Sequence, residues 1–490
     1  MISVPMVKRL TFMVTCPFPT TQALKKVRTY FMAENSDDPK PLDKIKSSGF
    51  SRGLSLLKAS IKAGSFAAKQ LRQSSKNPEE QLAFILRQVK GFTDEIGQLK
   101  GSAMKVGQLL STYGEHFLPP EANKILKSLQ QKSPPVSWSV VEKQLKSELG
   151  EKMNLLEIDC KPIASASIGQ VHRATIKDTG QKVALKVQYP GVDQAIDSDM
   201  KLFKLMLGSL NLLPRGANMG QIFEEVRSML VQEMDYRQEL AFTNFFYEQL
   251  QEDSRYLVPK TFPEFCTQRI MVTEFMEGVA VDSPEVEALS LERRNRLGEN
   301  YLDLYLRELL QFQKVQTDPH FGNYRVKIDS EGQQDQLVLF DFGAIREVPP
   351  EFLKNYRSLI EGGLEQNSEQ IIKTGKNLKL IFDEDSPELT RRFEELCLLI
   401  TEPFSNPEDH RVPSNLMDSE GRYDWGGSDL PKRVAKKGGE IALNFKLRSP
   451  PKETVFLDRK LGGVFIFLKV LQCKMETRTL LIERLKTFSL

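Results

Sequence analysis

Hydrophobic and polar positions divide the chain into a helical front, a β-rich centre and a helical rear. Over 80–130 the stretch EEQLAFILRQVKGFTDEIGQLKGSAMKVGQLLSTYG has helical apolar spacing, ends at Gly114, and is followed by a new helix opened by Pro119 and Pro120. SPPVSW at 133–138 breaks that pattern. Beyond it QVHRATI and KVALKVQ read as two β runs joined by DTG, the signature of a hairpin. Helical stretches are expected at about 193–213 and 220–251, then a strand in RIMVTEFMEG (269–278) and a long helix at about 291–313. QTDPHFGNYRVKI and LVLFDFGAI read as two short strands around the polar turn DSEGQQDQ. The remainder to Leu490 is mostly helical, interrupted by a Gly/Ser/Asp-rich loop at about 413–430 and by LRSPPKE. GGVFIFLKVL (462–471) is apolar but broken by Lys469, so it reads as a core helix and not as a membrane span.

A chain of 490 residues accommodates one large or two to three ordinary domains. The pattern gives an N-terminal segment over 1–80, partly flexible, a helical extension over 81–135, a β-rich lobe with inserted helices over 136–278, and a mostly helical lobe over 279–490. A net charge of +3 is too mild for a nucleic-acid partner, which usually demands a dense basic stripe. Five cysteines without a CxxC pair or a His-linked metal spacing indicate reduced thiols in a cytosol-like compartment. The first residues hold an apolar run of about seven, too short to span a bilayer and poor as a secretory signal. Charge matters locally: from Lys44 to Pro78 there are eight basic residues and no acid, and Leu54, Leu57, Ile61 and Phe66 outline an apolar helical face. Such a helix, basic and amphipathic, is either solvated or drawn to an anionic membrane surface.

Candidate chemistry concentrates in three places. Lys186, in VALKV, alternates with Leu185 and Val187 and so points away from their apolar face, toward a cleft. Asp341 emerges after the apolar run LVLF, where a carboxylate suits a magnesium ion. Asp318 and Asn323 in DPHFGN keep the D-x-x-x-x-N spacing of a kinase catalytic loop before DFG. Phosphoryl transfer needs a cation on the phosphates, metal ligands and a group facing the acceptor, and these residues supply candidates for each. The HRD of protein kinases is absent, and D-x-H-x-x-N is closer to the loop of small-molecule kinases. By that analogy His320 is a loop or metal-proximal residue, with a structural histidine as the other reading.

With KVGQ (105–108), ASASIGQVH (164–172), VALKVQYPGV (183–192), EMDYRQELAFTNFF (233–246), TDPHFGN (317–323) and DFG (341–343), the chain resembles the UbiB/AarF family of atypical kinase-like proteins, which includes mitochondrial coenzyme Q kinase-like proteins. The likeness covers roughly 85–490. It implies an α+β, bilobal protein-kinase-like fold with an α-helical N-terminal extension, binding ATP (or ADP) and Mg2+. In that family a helix bearing Lys-x-Gly-Gln lies over the active site and a Glu-x-Asp pair engages it; here these are Lys105, Gly107 and Gln108, with Glu233 and Asp235. Glu239, six residues on in the same predicted helix, resembles the glutamate that pairs with Lys186, although the sequence leaves the choice of glutamate open. Gly107 costs a helix about 1 kcal/mol relative to alanine, which suggests close packing there.

The same resemblance puts an alanine-rich loop, Ala164, Ser165, Ala166 and Ser167, where a glycine loop would hold the nucleotide phosphates, with Gly169 and Gln170 as the turn into the next strand. Alanine and serine narrow the backbone freedom that glycine gives. Three functions follow as expectations: a magnesium-dependent ATPase or kinase supporting isoprenoid quinone or membrane-lipid metabolism, a nucleotide-sensing scaffold at a membrane surface, or a small-molecule kinase. Expected partners are a nucleotide, an anionic membrane surface, and quinone-biosynthesis proteins or lipid precursors. The expected location is cytoplasmic, peripheral at the inner face of a membrane, without a transmembrane span.

Overall fold

The alternation in KVALKVQ is realised in an antiparallel sheet, where Val183, Leu185 and Val187 are buried on one face and Lys186 leaves from the other. A computed structural model describes residues 104–107, 109–110, 135–209, 219–444 and 450–487. The basic helix, the segment over 1–80, most of the 81–135 extension and Gln108 lie outside the described residues.

The sheet runs β1 (Leu156–Ser165), β2 (Gly169–Ile176), β3 (Lys182–Gln188) and β5 (Ile270–Glu274), with each neighbouring pair antiparallel. Helix α1 (Trp138–Leu149) presents Val141, Leu145 and Leu149, four residues apart and so on one stripe, to the apolar side chains of β3 and β5. The opposite side of the lobe is a second core, in which Ile168, Tyr236 and Met271 meet Val106, Leu109 and Leu110 of the Lys105 helix. Helices α2 (Val192–Ser209) and α3 (Met219–Glu233) complete that core.

The helix expected over 220–251 is two helices. Helix α3 stops at Glu233 and α4 runs Tyr236–Leu250. Asp235 lies between them in extended backbone, and its carboxylate accepts the Arg237 N–H at 3.0 Å. Aspartate is among the strongest N-caps, contributing about 1 kcal/mol, and the break turns the chain so that Glu233 and Glu239 occupy different helices.

In the larger lobe α5 (Leu291–Leu306), capped by Ser290, widens into a π turn over Arg307–Gln311 before reaching β6 (Lys314–Gln316). This shortens the expected 291–313 helix, and Gln313, at φ 53°, completes the stop. A three-stranded sheet orders β4 (Tyr256–Leu257), β8 (Gln336–Leu339) and β7 (Tyr324–Lys327), while β6 pairs with β9 (Ile345–Glu347). Around them lie α6 (Pro350–Glu365), α7 (Ser368–Asn377), α8 (Pro387–Ile400), α9 (Leu430–Asn444), α10 (Lys452–Val470) and α11 (Arg478–Thr487).

Helix α10 contains the apolar run expected to be a core helix, and it is one. Phe467 stacks on Tyr301 of α5 with ring centroids 3.6 Å apart, and its first turns reach the other lobe, where Val455 joins the core around Tyr236. Gly463 is set against Pro319: a Cβ there would stand 2.0 Å from the proline Cβ. Only a residue without a side chain lets α10 approach the 317–323 loop so closely. Among the described residues no helix is long and apolar enough to cross a membrane.

Candidate active site

Lys186, half-buried between the lobes, donates to both carboxylate oxygens of Glu239, at 2.6 and 2.8 Å, and lies 3.9 Å from Asp341 Oδ2. The sequence left the glutamate open; α4 supplies it. Burial works against the lysine's charge, but Asp341 and Glu239 outweigh it and hold the ammonium well above its ordinary pKa. A cation fixed between two carboxylates is preorganised for an anionic ligand, since its own solvation has already been replaced.

Asp341 leaves β8 after Phe340 and accepts the Gly343 N–H on Oδ1 at 3.0 Å. Asp318 and Asn323 occupy the loop between β6 and β7, where the Asn323 amide donates to the Asp318 carbonyl at 3.0 Å. One side chain that the motif reading missed joins this loop to DFG. Gln316, 3% exposed, donates through Nε2 to the Asp341 carbonyl and accepts the Asp318 N–H on Oε1 at 3.0 Å. Thr317 adds a hydroxyl bond to the Ala344 carbonyl at 2.8 Å. Two segments more than twenty residues apart are thus tied by one amide.

Helix α10 supplies a second residue absent from the motif set. Arg459 pairs with Asp318 Oδ1 at 2.9 Å. Burial would raise the Asp318 carboxyl, but Arg459, then Lys105 and Asn323, overcome it and hold it below the usual carboxylate range. Replacing Arg459 with glutamine removes the largest of these opposing influences. The acid limb of a pH profile of nucleotide hydrolysis is then expected to move to higher pH, because Asp318 takes up its proton sooner. A profile superimposable on the parent's contradicts the role given to that ion pair.

Lys105 makes an ion pair with Glu233 at 2.9 Å. Burial opposes its charge, yet Glu233, Asp318 and Asp341 together raise its pKa, which places its ammonium within electrostatic reach of both loop carboxylates. Gly107 is buried beside it. Asp235, expected to share the work of Glu233, caps α4; Gln108, on the helix it is expected to engage, lies outside the described residues.

The alanine-rich loop is a closed turn. Ala164 and Ser165 end β1 opposite Val171 and Gln170, the Ala166 N–H donates to the Gly169 carbonyl at 2.8 Å, and the Ser165 and Tyr189 hydroxyls share a hydrogen bond at 2.9 Å. Ser167 is half-buried at the bend. The Ala166 amide, which in a glycine loop would be free for a phosphate, is spent inside the turn. Gly169 is required by closeness alone: a Cβ would come 2.5 Å from the Val187 carbonyl oxygen and 2.9 Å from the Tyr236 hydroxyl. Ala166→Gly should loosen the turn and shift ATP or ADP affinity about two- to fivefold, the equivalent of the roughly 0.5–1 kcal/mol that glycine's extra freedom represents. Titration of both nucleotides checks it, and unchanged affinities contradict it.

Gln170, grouped in sequence with the nucleotide loop, turns out to be a core residue. Its amide accepts the Val136 N–H at 2.9 Å, donates to the Val136 carbonyl at 3.3 Å, and meets His172 Nε2 at 2.9 Å. His172 Nδ1 lies 2.7 Å from the Asp159 carbonyl, and burial holds its imidazole below the ordinary pKa. Every polar atom of the Gln170 side chain is therefore engaged away from the cleft. His320, as expected of a loop histidine, accepts the Gly322 N–H on Nδ1 at 2.9 Å.

The chain is similar to known proteins. A family described as the ABC1 atypical kinase-like domain matches residues 128–375. A probable serine/threonine-protein kinase of Dictyostelium discoideum, abkA, is 33% identical over 412 residues, 81% of this chain and 70% of its own length. The atypical mitochondrial kinase COQ8 of Saccharomyces cerevisiae is 31% identical over 377 residues, 76% of this chain and 72% of its own. Among solved structures, Rv3197 of Mycobacterium tuberculosis, in complex with erythromycin, shares the fold with a TM-score of 0.54 and 25% identity, covering 82% of this chain and 97% of that one. With the kinase-like sheet, the Lys186–Glu239 pair and the 317–323 and DFG loops in place, the chain belongs to the ABC1 atypical kinase-like family, that of COQ8 and UbiB.

Proposed function

We propose that this protein is a magnesium-dependent ATPase or kinase whose turnover supports isoprenoid quinone metabolism at a membrane surface. The observation that carries the reading is Lys186 held between Glu239 and Asp341, with the Asp318 loop tied to DFG through Gln316. In this reading Lys186 binds the nucleotide phosphates, Asp341 and Asn323 offer oxygens to magnesium, and Asp318 faces the acceptor hydroxyl or water. The donor set suits that ion. Among the described residues no cluster of three or more His, Cys, Asp or Glu side chains could hold a metal alone, and magnesium arriving on a nucleotide needs only one or two protein oxygens. Bound there, the ion would neutralise charge developing on the transferred phosphoryl group. Kinship with COQ8 supports the quinone connection, and the acid-free basic segment over 44–78 supports peripheral attraction to anionic lipid.

A second reading, a nucleotide-sensing scaffold, draws on Lys105 and Arg459, two cations that already occupy the neighbourhood of Asp318. Phosphate release by the full chain, measured with Mg–ATP, anionic liposomes and a phenolic quinone-precursor mimic, separates the two. A rate above that without liposomes and phenol supports catalysis. A nucleotide-dependent thermal shift with no phosphate release supports the scaffold, and transfer of label to a soluble metabolite would identify a small-molecule kinase.

A further inference from the structure

Tyr236 follows the Asp235 cap as the first residue of α4, and its hydroxyl is an orphan: the residue is 1% exposed and the oxygen has no hydrogen-bond partner. A buried donor left unpaired is costly, and native folds keep few of them.

Strand pairing fixes where that hydroxyl lies. In the β2–β3 ladder Gly169 is opposite Gln188 and Val171 is opposite Lys186. Residues two apart on a strand share a face, and so do directly paired residues, which sets Gly169 and Lys186 on the same face of the sheet. Tyr236 meets this face from α4. The Lys186 ammonium stands 5.1 Å from the centre of its ring, and a Cβ on Gly169 would come 2.9 Å from its hydroxyl. The oxygen therefore sits beneath the alanine-rich turn, next to the lysine. Its backbone N–H donates to the Gln268 carbonyl at 3.0 Å, and its ring belongs to the core shared with Ile168, Met271 and Val106.

The surroundings define the acceptor that this donor lacks. Burial, opposed by Lys186 and reinforced by Glu239 and Asp341, holds the phenol well above its ordinary pKa, so it stays neutral and keeps its proton to donate. The neighbouring ammonium favours an anionic oxygen. In the turn above, the Ala166 N–H is spent on the Gly169 carbonyl at 2.8 Å, so the loop is short of a donor that a phosphate would otherwise use.

We propose that the Tyr236 hydroxyl binds a phosphate oxygen of the nucleotide, beside Lys186, in place of the amide spent inside the alanine-rich turn. The turn lifts from Gly169 to admit the phosphate. This assignment rests on the proposed function, in which Lys186 serves the nucleotide phosphates.

Tyr236→Phe removes the hydroxyl alone and tests it by calorimetric titration of the full chain with Mg–ATP, Mg–ADP and adenosine. Loss of one hydrogen bond to a charged acceptor is expected to weaken both phosphorylated ligands about tenfold and to leave adenosine as in the parent. Without ligand, the variant should melt at or above the parent temperature, because it no longer buries an unpaired donor. A residue needed only for packing would not weaken phosphate binding while keeping the fold intact. A loss below about threefold for Mg–ATP, an equal loss for adenosine, or a lower melting temperature overturns the assignment and leaves the proposed function standing. Failure of the parent itself to bind either phosphorylated nucleotide would refute the proposed function and this assignment with it.

Discussion

Asp341→Asn is expected to lower Mg–ATP-dependent phosphate release about a hundredfold or more, equivalent to about 2.7 kcal/mol of transition-state stabilisation. The substitution preserves shape. The Asp341 side chain is 37% exposed, so an amide in its place keeps access to solvent, and the backbone carbonyl still accepts from Gln316. What it removes is charge. The parent carboxylate keeps Oδ1 on the Gly343 N–H and leaves Oδ2 3.9 Å from Lys186, open toward the cleft. An amide there binds magnesium poorly and no longer balances Lys186. Phosphate release titrated against magnesium checks the effect, with an unchanged melting temperature as the control. A variant retaining more than half the parent rate would remove Asp341 from the metal site.

Lys460→Met should destabilise the fold by about 3–5 kcal/mol, the usual consequence of removing one partner of a buried ion pair. Lys460 is fully buried and 3.0 Å from Glu308, whose side chain is 3% exposed. Its ammonium also donates to the Tyr324 hydroxyl at 3.2 Å and lies over the Tyr301 and Tyr324 rings, at 5.4 and 5.7 Å. Glu308 in turn accepts the Gln316 N–H at 3.3 Å, so the pair underpins the residue that links the catalytic loop to DFG. Without the lysine, a carboxylate is left in the core. Burial already pushes the Glu308 carboxyl upward and only Lys460 and hydrogen bonding oppose it, so in the variant its folded pKa rises further. An acid whose folded pKa exceeds its unfolded value loses stability as pH rises, because only the unfolded chain releases the proton freely. The deficit should therefore widen as pH increases above the ordinary glutamate value. Denaturant unfolding at several pH values measures it, and the double variant Lys460→Met, Glu308→Leu should recover most of the loss. A single variant within about 1 kcal/mol of the parent on the same measurement would contradict this account.

Much of the site is local and was legible for that reason. Side chains alternate along a strand whatever surrounds it, so the pattern of VALKV already separates Lys186 from its buried neighbours. The DTG turn pairs β2 with β3, and LVLF places Asp341 at the end of a buried strand. Asn323 contacts the backbone of Asp318 five residues away, within reach of a spacing motif.

Other features had no such trace. Asp235 falls inside the single helix expected over 220–251, and only the turn of the chain between α3 and α4 makes it a cap. Gln170 stands next to a phosphate-loop motif, yet a backbone segment 34 residues earlier claims its amide. Arg459 pairs with Asp318 across 141 residues, and Lys460 pairs with Glu308 through a π turn that no periodicity announces. Strands, hairpin and the order of the phosphate-facing residues follow from backbone periodicity and short spacings, which the amino-acid order carries without help. Which cations reach Asp318 was settled by packing between distant segments. Helix α10 can bring Arg459 and Lys460 to the loop only by setting Gly463 directly on Pro319, a contact between remote surfaces that no local pattern encodes.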